Sequence, residues 1–227
     1  MGGFANNAPI VTDGLVFYVD AGNNNSYPGS GTTWTDLIGS NDGTLTNGPT
    51  YSSANAGSIA FDGSNDWSSH SSVSSAWPVT MSCWAKFDSF NNNTLMAQSD
   101  VSASNQFFGF GQKLNNSQNL LRIYNYTVSF NEAFGSTVVS TGQWYNITAV
   151  FESNTSKKLY LNGALEATLT VSHTYPTGID TMSISSFQRT SPGGYHDGDI
   201  ACAMVHNKAL SADEVLQNYN ALKNRFV

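Results

Sequence analysis

Gly14-Leu-Val-Phe-Tyr-Val-Asp20 is a glycine-led run whose side chains alternate between two faces, which is typical of a β-strand. A second run of this kind, Gly198-Asp-Ile-Ala-Cys-Ala-Met-Val-His206, lies near the other end of the chain. We expect the two runs to bring both ends of the chain into one sheet. Short alternating segments and polar turns fill the sequence between them, and this pattern predicts an all-β protein.

The composition supports a folded core and excludes two classes of partner. The 227 residues are 40% hydrophobic and 12% aromatic but only 11% charged, with a formal net charge of −7. The nine Lys and Arg residues form no cluster, so nucleic acid is not an expected partner. No apolar run is long enough to predict a membrane span, and the first residues lack the basic and apolar regions of a secretory signal.

Three segments between the two runs predict particular features. Val79–Phe87 places apolar side chains on one face and Trp84 on the other, so we expect this strand to be covered on both sides. Asn162-Gly163 predicts a tight hairpin, because both residues tolerate positive φ. Residues 58–70 predict a strand–turn–strand unit.

Two regions depart from this strand pattern. Residues 21–50 are expected to form a long loop with Trp34 and Leu37 as apolar anchors. Near the end, Ser211 and Glu214 fit a helix capping box, and apolar residues then recur at helical spacing from 215 to 222. One amphipathic helix is therefore predicted to pack on the sheets.

The two cysteines, Cys83 and Cys202, both lie in strand-like runs. Synthesis in the cytosol and the low cysteine count favour buried reduced thiols. A disulfide between two strands is the alternative.

Six motifs stand in a fixed order over residues 12–223. They are Asp13-Gly-Leu-Val-Phe-Tyr-Val-Asp-Ala21; Gly57-Ser-Ile-Ala-Phe-Asp-Gly63 followed by Asp66-Trp67; Met81-Ser-Cys-Trp-Ala85; Trp144-Tyr-Asn-Ile147; Leu159-Tyr-Leu-Asn-Gly163; and Gly198-Asp-Ile200 followed by Asn207-Lys-Ala-Leu-Ser-Ala-Asp-Glu-Val215. Together they resemble the concanavalin A-like, laminin-G-like jelly rolls. The expected fold is all-β, a two-sheet antiparallel jelly-roll sandwich with one short C-terminal helix. One domain over residues 14–227 would follow an extended N-terminal arm, residues 1–13.

A narrower resemblance rests on Ser26-Tyr-Pro-Gly-Ser-Gly-Thr32, followed by Trp34, Asp36 and Leu37. This segment is similar to the subset of the family found in virion proteins of tailed bacteriophages. The family implies a fold and a habit of binding glycans, proteins and sometimes calcium, but it does not imply one function.

The sequence carries no arrangement of residues that predicts catalysis. Relatives that cleave β-glucans use Glu-x-Asp-x-Glu spacing on one strand face, and this chain has no such run. Its nearest pair, Asp197 and Asp199, is expected to belong to a turn rich in Asp and Gly. No serine stands in a Gly-x-Ser-x-Gly elbow, and the four histidines are scattered. We therefore expect no enzyme activity.

No cofactor is predicted, although calcium is an open possibility. Asp62, Asp66, Asp197 and Asp199 could supply oxygen ligands. The favoured interpretation of residues 62–66 is a turn in which the side chains bond their own backbone.

A candidate ligand-binding surface lies on one predicted strand. Arg122, Tyr124 and Tyr126 alternate onto one face, opposite Leu121 and Ile123. These side chains could contact a glycan or a protein, with Trp67 as a further candidate. The alternative is that the rings serve only the packing of the sheet.

Our first functional expectation is a non-enzymatic structural protein of a tailed-phage virion. It would be a capsid decoration or a fibre or knob protein that displays the jelly roll at the virion surface after synthesis in the host cytoplasm. Its expected partners are capsid or fibre subunits, further copies of itself in a homo-oligomer, and cell-surface glycans. The arm would anchor it through Phe4, Pro9, Ile10 and Val11. The alternative is a free-standing carbohydrate-binding or adhesion module.

Overall fold

Two antiparallel β-sheets pack face to face in this protein, and a computed structural model describes residues 8–226. The first sheet contains β1 (Leu15–Asp20), β4 (Thr50–Ser52), β5 (Ser58–Asp62), β7 (Val79–Phe87), β12 (Trp144–Ser153), β13 (Ser156–Leu161), β14 (Ala164–Leu169) and β16 (Asp197–His206). The second contains β2 (Thr33–Trp34), β3 (Gly43–Thr46), β6 (Trp67–Ser71), β8 (Thr94–Ser99), β9 (Phe107–Asn115), β10 (Gln118–Tyr126), β11 (Phe130–Val138) and β15 (Thr181–Ile184). The helix α1 (Ala212–Leu222) follows the last strand. This architecture confirms the predicted two-sheet sandwich with one short C-terminal helix.

The order of the strands sets which residues can meet. In the first sheet the order is β14-β13-β12-β7-β16-β5-β4, and β1 also pairs with β16. In the second sheet the order is β11-β10-β9-β8-β15-β6-β3-β2. The two glycine-led runs become β1 and β16, with Tyr18 opposite Met204 and Asp20 opposite Cys202. The predicted joining of both chain ends in one sheet is confirmed.

The strand β7 is buried on both faces, as its sequence predicts. Met81, Cys83 and Phe87 lie in the core between the sheets. Trp84 faces the other way and stacks on Phe226, with ring centroids 4.3 Å apart. The first sheet is therefore sandwiched between the core and the C-terminal segment.

The helix α1 begins with the predicted capping box. The Ser211 side chain accepts from the backbone N–H of Glu214, and the Glu214 side chain accepts from the N–H of Ser211. Val215, on its buried face, packs with Val150 and Tyr160 of the first sheet. The helix thus covers the outer face of that sheet.

Part of the N-terminal arm lies on this helix. The N–H of Val11 donates to Asn218 Oδ1 at 2.7 Å, and Gln217 donates to the carbonyl of Pro9 at 2.7 Å. Val11 is buried, Ile10 is half-buried and Pro9 is exposed. Phe4 lies outside the described residues. Residues 9–11 therefore pack on the helix of their own domain.

The segment predicted as a long loop, residues 21–50, instead contains three strands in whole or in part: β2, β3 and the first residue of β4. These strands are two to four residues long, too short for their alternation to be visible in the sequence. Trp34 is fully buried as the predicted anchor, whereas Leu37 is half-buried. Ser26 and Asp36 hold this segment to β1, since they accept hydrogen bonds from the N–H groups of Asp20 and Tyr18.

One other expectation about a turn is corrected, and the predicted strand–turn–strand unit is confirmed. Asp197 and Asp199 belong to β16 and not to a turn, because this end of the strand pairs with β5 and β7. Residues 58–62 and 67–71 do form strands, but β5 joins the first sheet and β6 the second. The turn between them crosses the sandwich. The hairpin at Asn162-Gly163 is confirmed, with φ of 51° and 82°.

The two sheets also meet along one side of the sandwich, where β14 and β11 are the edge strands. Glu166 of β14 accepts from the backbone N–H groups of Ser136 and Thr137 on β11, at 2.8 and 3.0 Å. Burial raises the pKa of the Glu166 carboxyl, but these hydrogen bonds and those from the two hydroxyl groups outweigh it and lower the pKa. One carboxylate thus bonds edge groups that would otherwise be unpaired.

Cys83 and Cys202 are unbridged and buried. Their side chains lie on opposite faces of the first sheet, since Cys83 packs in the core and Cys202 packs with Trp84 and Phe226. Among the described residues, no helix has the length and apolar character needed to cross a bilayer.

Candidate binding site on the second sheet

The strand β10 presents its predicted candidates on the outer face of the second sheet. Leu121 and Ile123 lie in the core. Arg122, Tyr124 and Tyr126 alternate with them, and all three line one pocket. The register places Tyr124 opposite Gly109 on β9 and opposite Glu132 on β11. The alternation in the sequence therefore predicts this face correctly.

The pocket has a volume of about 240 Å³. It is lined by Phe107, Arg122, Tyr124, Tyr126, Phe130, Phe187 and Arg189. Five of these residues come from β9, β10 and β11, and two come from residues 185–196, the connection between β15 and β16. Within this connection the N–H of Phe187 donates to the carbonyl of Gly193. The N–H of Thr94 on β8 donates to the carbonyl of Gly194 and holds the connection to the sheet.

Aromatic rings gather around Phe107. Phe187 stacks on it with ring centroids 5.5 Å apart and an interplanar angle of 10°. Tyr126 and Tyr124 meet it edge-on at 5.5 and 6.0 Å. Phe130 stacks on Tyr124 at 5.9 Å and is itself 40% exposed. Such contacts fix the rings in place, so the apolar walls exist without a ligand.

Tyr124 forms the buried floor of the pocket and is not an exposed platform. Its ring is 1% exposed, and its hydroxyl group lies 3.0 Å from Thr94 Oγ1. Burial raises the pKa of this hydroxyl group to about 12, although nearby Arg122 and the bond to Thr94 act in the other direction. The more exposed side chains of the pocket are therefore Tyr126, Phe130, Phe187 and Arg189.

Two guanidinium groups lie against the aromatic walls. Arg122 Cζ is 4.9 Å from the Tyr124 ring centroid, and Arg189 Cζ is 5.0 Å from that of Phe187. Arg122 Nη1 donates to Glu132 Oε2 at 2.7 Å. Lys113 Nζ binds the other oxygen of Glu132 at 2.6 Å. The ion pairs hold Arg122 in one orientation, and cation–π contact holds both arginines at the rings.

Trp67 does not belong to this site. It lines a separate depression of about 300 Å³ together with Asp42, Ser69, His70, Ser71, Asp180 and Thr181. Pro9, Ile10 and Val11 lie on α1, which covers the first sheet, so they are on the opposite side of the sandwich from the pocket. The structure thus brings together three of the four predicted ligand residues and places Trp67, like the predicted anchoring residues 9–11, away from them.

Two of the four acidic candidates for calcium, Asp62 and Asp199, accept hydrogen bonds from the protein itself. Asp62 accepts from the N–H of Ser64 at 2.8 Å, which is the predicted bonding of a turn to its own backbone. Asp199 accepts from Lys86 and from Ser58, each at 2.7 Å. Residues 8–226 contain no group of three or more His, Cys, Asp or Glu side chains placed to hold a metal ion.

Two histidines, His70 and His196, are buried, and burial lowers the pKa of each to about 4.

Four of the pocket residues were not predicted from the sequence: Phe107, Phe130, Phe187 and Arg189. Phe107 begins β9, but the face on which its side chain lies could not be assigned without the pairing of β9 with β10. Phe187 and Arg189 lie in a connection whose position over the sheet has no local sequence signal. The sequence does contain one useful hint, because Phe187-Gln-Arg189 puts an aromatic residue and a cation two residues apart in a polar loop.

Comparisons with known proteins agree with this fold. The sequence profile of the concanavalin A-like lectin/glucanases superfamily matches residues 61–216, more than half of the chain. No curated protein sequence matches the chain.

Solved structures share the architecture at low sequence identity. Domain 4 of AbnA, a GH43 extracellular arabinanase from Geobacillus stearothermophilus in complex with arabinotriose, is 16% identical with a TM-score of 0.73, covering 90% of this chain and 98% of that one. Trypanosoma rangeli sialidase in complex with sialic acid is 13% identical with a TM-score of 0.68. That match covers 97% of this chain but 35% of the sialidase, so the chain spans about a third of its length.

Proposed function

This chain belongs to the concanavalin A-like lectin/glucanases superfamily, and on that premise we propose that it is a non-enzymatic module that binds a glycan in the pocket of the second sheet. The observation that carries the proposal is that five phenylalanine and tyrosine side chains and two arginines line one cavity. Sugar rings have apolar faces that pack on aromatic rings and hydroxyl groups that accept from arginine. The pocket offers both kinds of contact.

The chemistry of the lining supports binding without bond cleavage. Hydrolysis of a glycosidic bond generally needs two carboxyl groups facing the sugar. The residues that line the pocket are Phe, Tyr and Arg, and the carboxylate behind them, Glu132, is paired with Arg122 and Lys113. The arabinanase domain that shares this fold is described with a bound arabinotriose, which favours a saccharide as the ligand class.

A glycan microarray probed with the purified chain tests this function. We expect wild-type protein to bind a defined set of glycans, and Phe130→Ala and Tyr126→Ala to weaken that binding about tenfold, the loss typical of a contact aromatic. Leu165→Ala is the matched control, because Leu165 is an exposed apolar residue on β14 of the other sheet.

Two results would contradict the proposal. One is a folded protein that binds no glycan, or whose binding is unchanged by both pocket variants. The other is release of reducing sugar from a bound oligosaccharide, which would overturn the non-enzymatic part.

We also propose a second function, display of this module on the surface of a phage particle, where it would contact capsid or fibre subunits. The supporting observation is that residues 9–11 lie on the α1 side of the sandwich and the pocket lies on the other side. A particle attached at the N-terminal arm would leave the pocket accessible. Mass spectrometry of purified particles tests this function, and absence of the chain from them would refute it.

A further inference from the structure

The walls of the pocket hold two guanidinium groups, and we propose that its ligand is an anionic saccharide, one that carries a carboxylate or a sulfate. This inference rests on the proposed glycan-binding function and specifies the ligand class. Three features of the site lead to it: a buried donor, a second cation without a carboxylate partner, and the local charge.

Arg122 is buried with donors still available. The residue is 7% exposed, and its protein acceptor is Glu132, bound through Nη1. Nε of Arg122 has no hydrogen-bond partner among the described residues. A buried donor without an acceptor is unfavourable, so a ligand oxygen that reached Nε would gain a strong, charge-assisted hydrogen bond.

Arg189 supplies a second cation, which lies against the rings of Phe187 and Phe107. Within the described residues no carboxylate lies within 4.0 Å of it, and its Nη1 donates to the carbonyl of Ser104 at 3.2 Å. Its Nε is also buried without a partner. Its Cζ lies 5.7 Å from the ring centroid of Phe107, the residue at the centre of the aromatic cluster. A planar guanidinium group in this position suits the two oxygens of a carboxylate or sulfate.

The local charge contrasts with that of the whole chain. The chain carries a formal net charge of −7 and has nine cationic Lys and Arg residues. Three cations, Arg122, Arg189 and Lys113, nevertheless lie at or beside this pocket, and one carboxylate, Glu132, pairs with Arg122 and Lys113. The site is thus positive on a negative protein, which favours an anionic ligand over a neutral one.

Calorimetric titration of the full chain with matched saccharide pairs tests the inference. One pair is sialyllactose and lactose, and the other is a sulfated galactan oligosaccharide and its desulfated form. We expect at least one acidic member to bind about tenfold or more tightly than its neutral partner, as charged hydrogen bonds predict. Comparison of the two pairs tells a carboxylate from a sulfate.

Variants then assign the effect to the arginines. Arg189→Gln should lose about tenfold in affinity for the acidic member and little for the neutral one, and Arg189→Lys should lose less. Lys158→Gln removes the same charge from the first sheet, where Lys158 pairs with Glu152, and should leave both affinities unchanged. Arg189 is the primary target because it is half-buried and on a connection, so the variant should fold.

The outcomes separate this inference from the function on which it rests. Equal affinity for acidic and neutral members, or an equal loss of both in Arg189→Gln, would overturn the anionic ligand and leave glycan binding intact. If only neutral glycans bound on the microarray, the anionic ligand would likewise be overturned and glycan binding would stand. Failure to bind any saccharide would remove the proposed function itself.

Discussion

At the scale of single residues, the floor of the pocket depends on a position with no side chain. Gly109 on β9 lies opposite Tyr124 and beside β8. A Cβ at this position would stand 2.4 Å from the Met96 carbonyl oxygen and 2.8 Å from the Tyr124 hydroxyl oxygen. Both distances are shorter than van der Waals contact, so glycine is required for Tyr124 to lie flat against the sheet.

Gly109→Ala should therefore lower the free energy of unfolding by about 1–3 kcal/mol, the usual cost of overpacking. Urea denaturation followed by tryptophan fluorescence measures this loss. Gly193→Ala is the control, because a Cβ there would lie at an ordinary 3.4 Å from Phe187. Equal stability of the two variants would show that the sheet has room for a methyl group at 109.

The candidate site shows what single residues can and cannot reveal from sequence. Arg122, Tyr124 and Tyr126 could be grouped correctly, because the period of a strand alone decides their face. Whether a ring on that face is exposed is decided by neighbours: Tyr124 is buried because Phe130 and Phe107 lie against it. Phe187 and Arg189 reach the pocket only through the path of residues 185–196, which the pairing of β15 and β16 with distant strands determines.

At the scale of elements, α1 shows how a local signal fixes a boundary. Ser211 and Glu214 bond each other's backbone, and Lys208 Nζ lies 2.8 Å from Glu214 Oε1. Lys208 and the N–H of Ser211 lower the pKa of the Glu214 carboxyl to about 2, against a slight opposing effect of burial. The Glu214 carboxyl group is therefore charged under all but strongly acidic conditions.

Ser211→Ala should destabilise the protein by about 1 kcal/mol, since it leaves a helical N–H without an acceptor, whereas Ser211→Asp should retain the cap. Thermal or urea unfolding measures both. An unchanged unfolding free energy in Ser211→Ala would mean that packing of Val215 alone holds the helix start.

The same cap predicts a pH dependence. A carboxyl group whose pKa is lowered on folding stabilises the protein above its unfolded pKa, near 4.5, and loses that contribution as the pH falls towards 2. The stability difference between wild type and Glu214→Gln should accordingly narrow over this range. If the unfolding free energies of the two proteins changed in parallel with pH, Glu214 would not be the titrating group.

The edge contact of Glu166 gives another prediction at this scale. Glu166→Ala should lower the free energy of unfolding by roughly 1 kcal/mol, because two backbone N–H groups of β11 lose a charged acceptor. Glu152→Gln, which breaks an exposed ion pair with Lys158, is the control and should have almost no effect. If both variants lost the same amount of unfolding free energy, the contact of Glu166 with β11 would have no specific stabilising role.

Elements also differ in how well the sequence predicts them. The strands β7, β10 and β12 are nine or ten residues long, so their alternation is unmistakable. The strand β11 was not predicted, because its residues are polar or exposed along much of its length and it is an edge strand. The strands β2 and β3 exist only through their pairing, which no window of a few residues contains.

At the scale of the whole molecule, buried histidines make the free energy of unfolding depend on pH. His70 bonds Ser68 and the carbonyl of Asn41, and His196 bonds the carbonyl of Lys86. Burial lowers the pKa of both imidazoles to about 4 from 6.5, so the folded protein keeps them neutral where the unfolded chain would protonate them.

The unfolding free energy of the wild type should therefore be greatest above pH 6.5 and fall as the pH drops towards 4. Each buried histidine contributes a slope of up to about 1.4 kcal/mol per pH unit. His196→Asn should show a shallower decline over the same interval, whatever its stability at neutral pH. Declines of equal slope in wild type and variant would show that His196 is not the titrating group.

The placement of the arm segment and the pocket on opposite sides of the sandwich has a consequence for multivalency. Copies attached to a common support through their N-terminal ends would all point their pockets the same way. A ligand with several saccharide branches could then engage neighbouring copies, and each engagement after the first would occur at a high effective concentration. Under such tethering, a weak individual affinity would still give durable avidity.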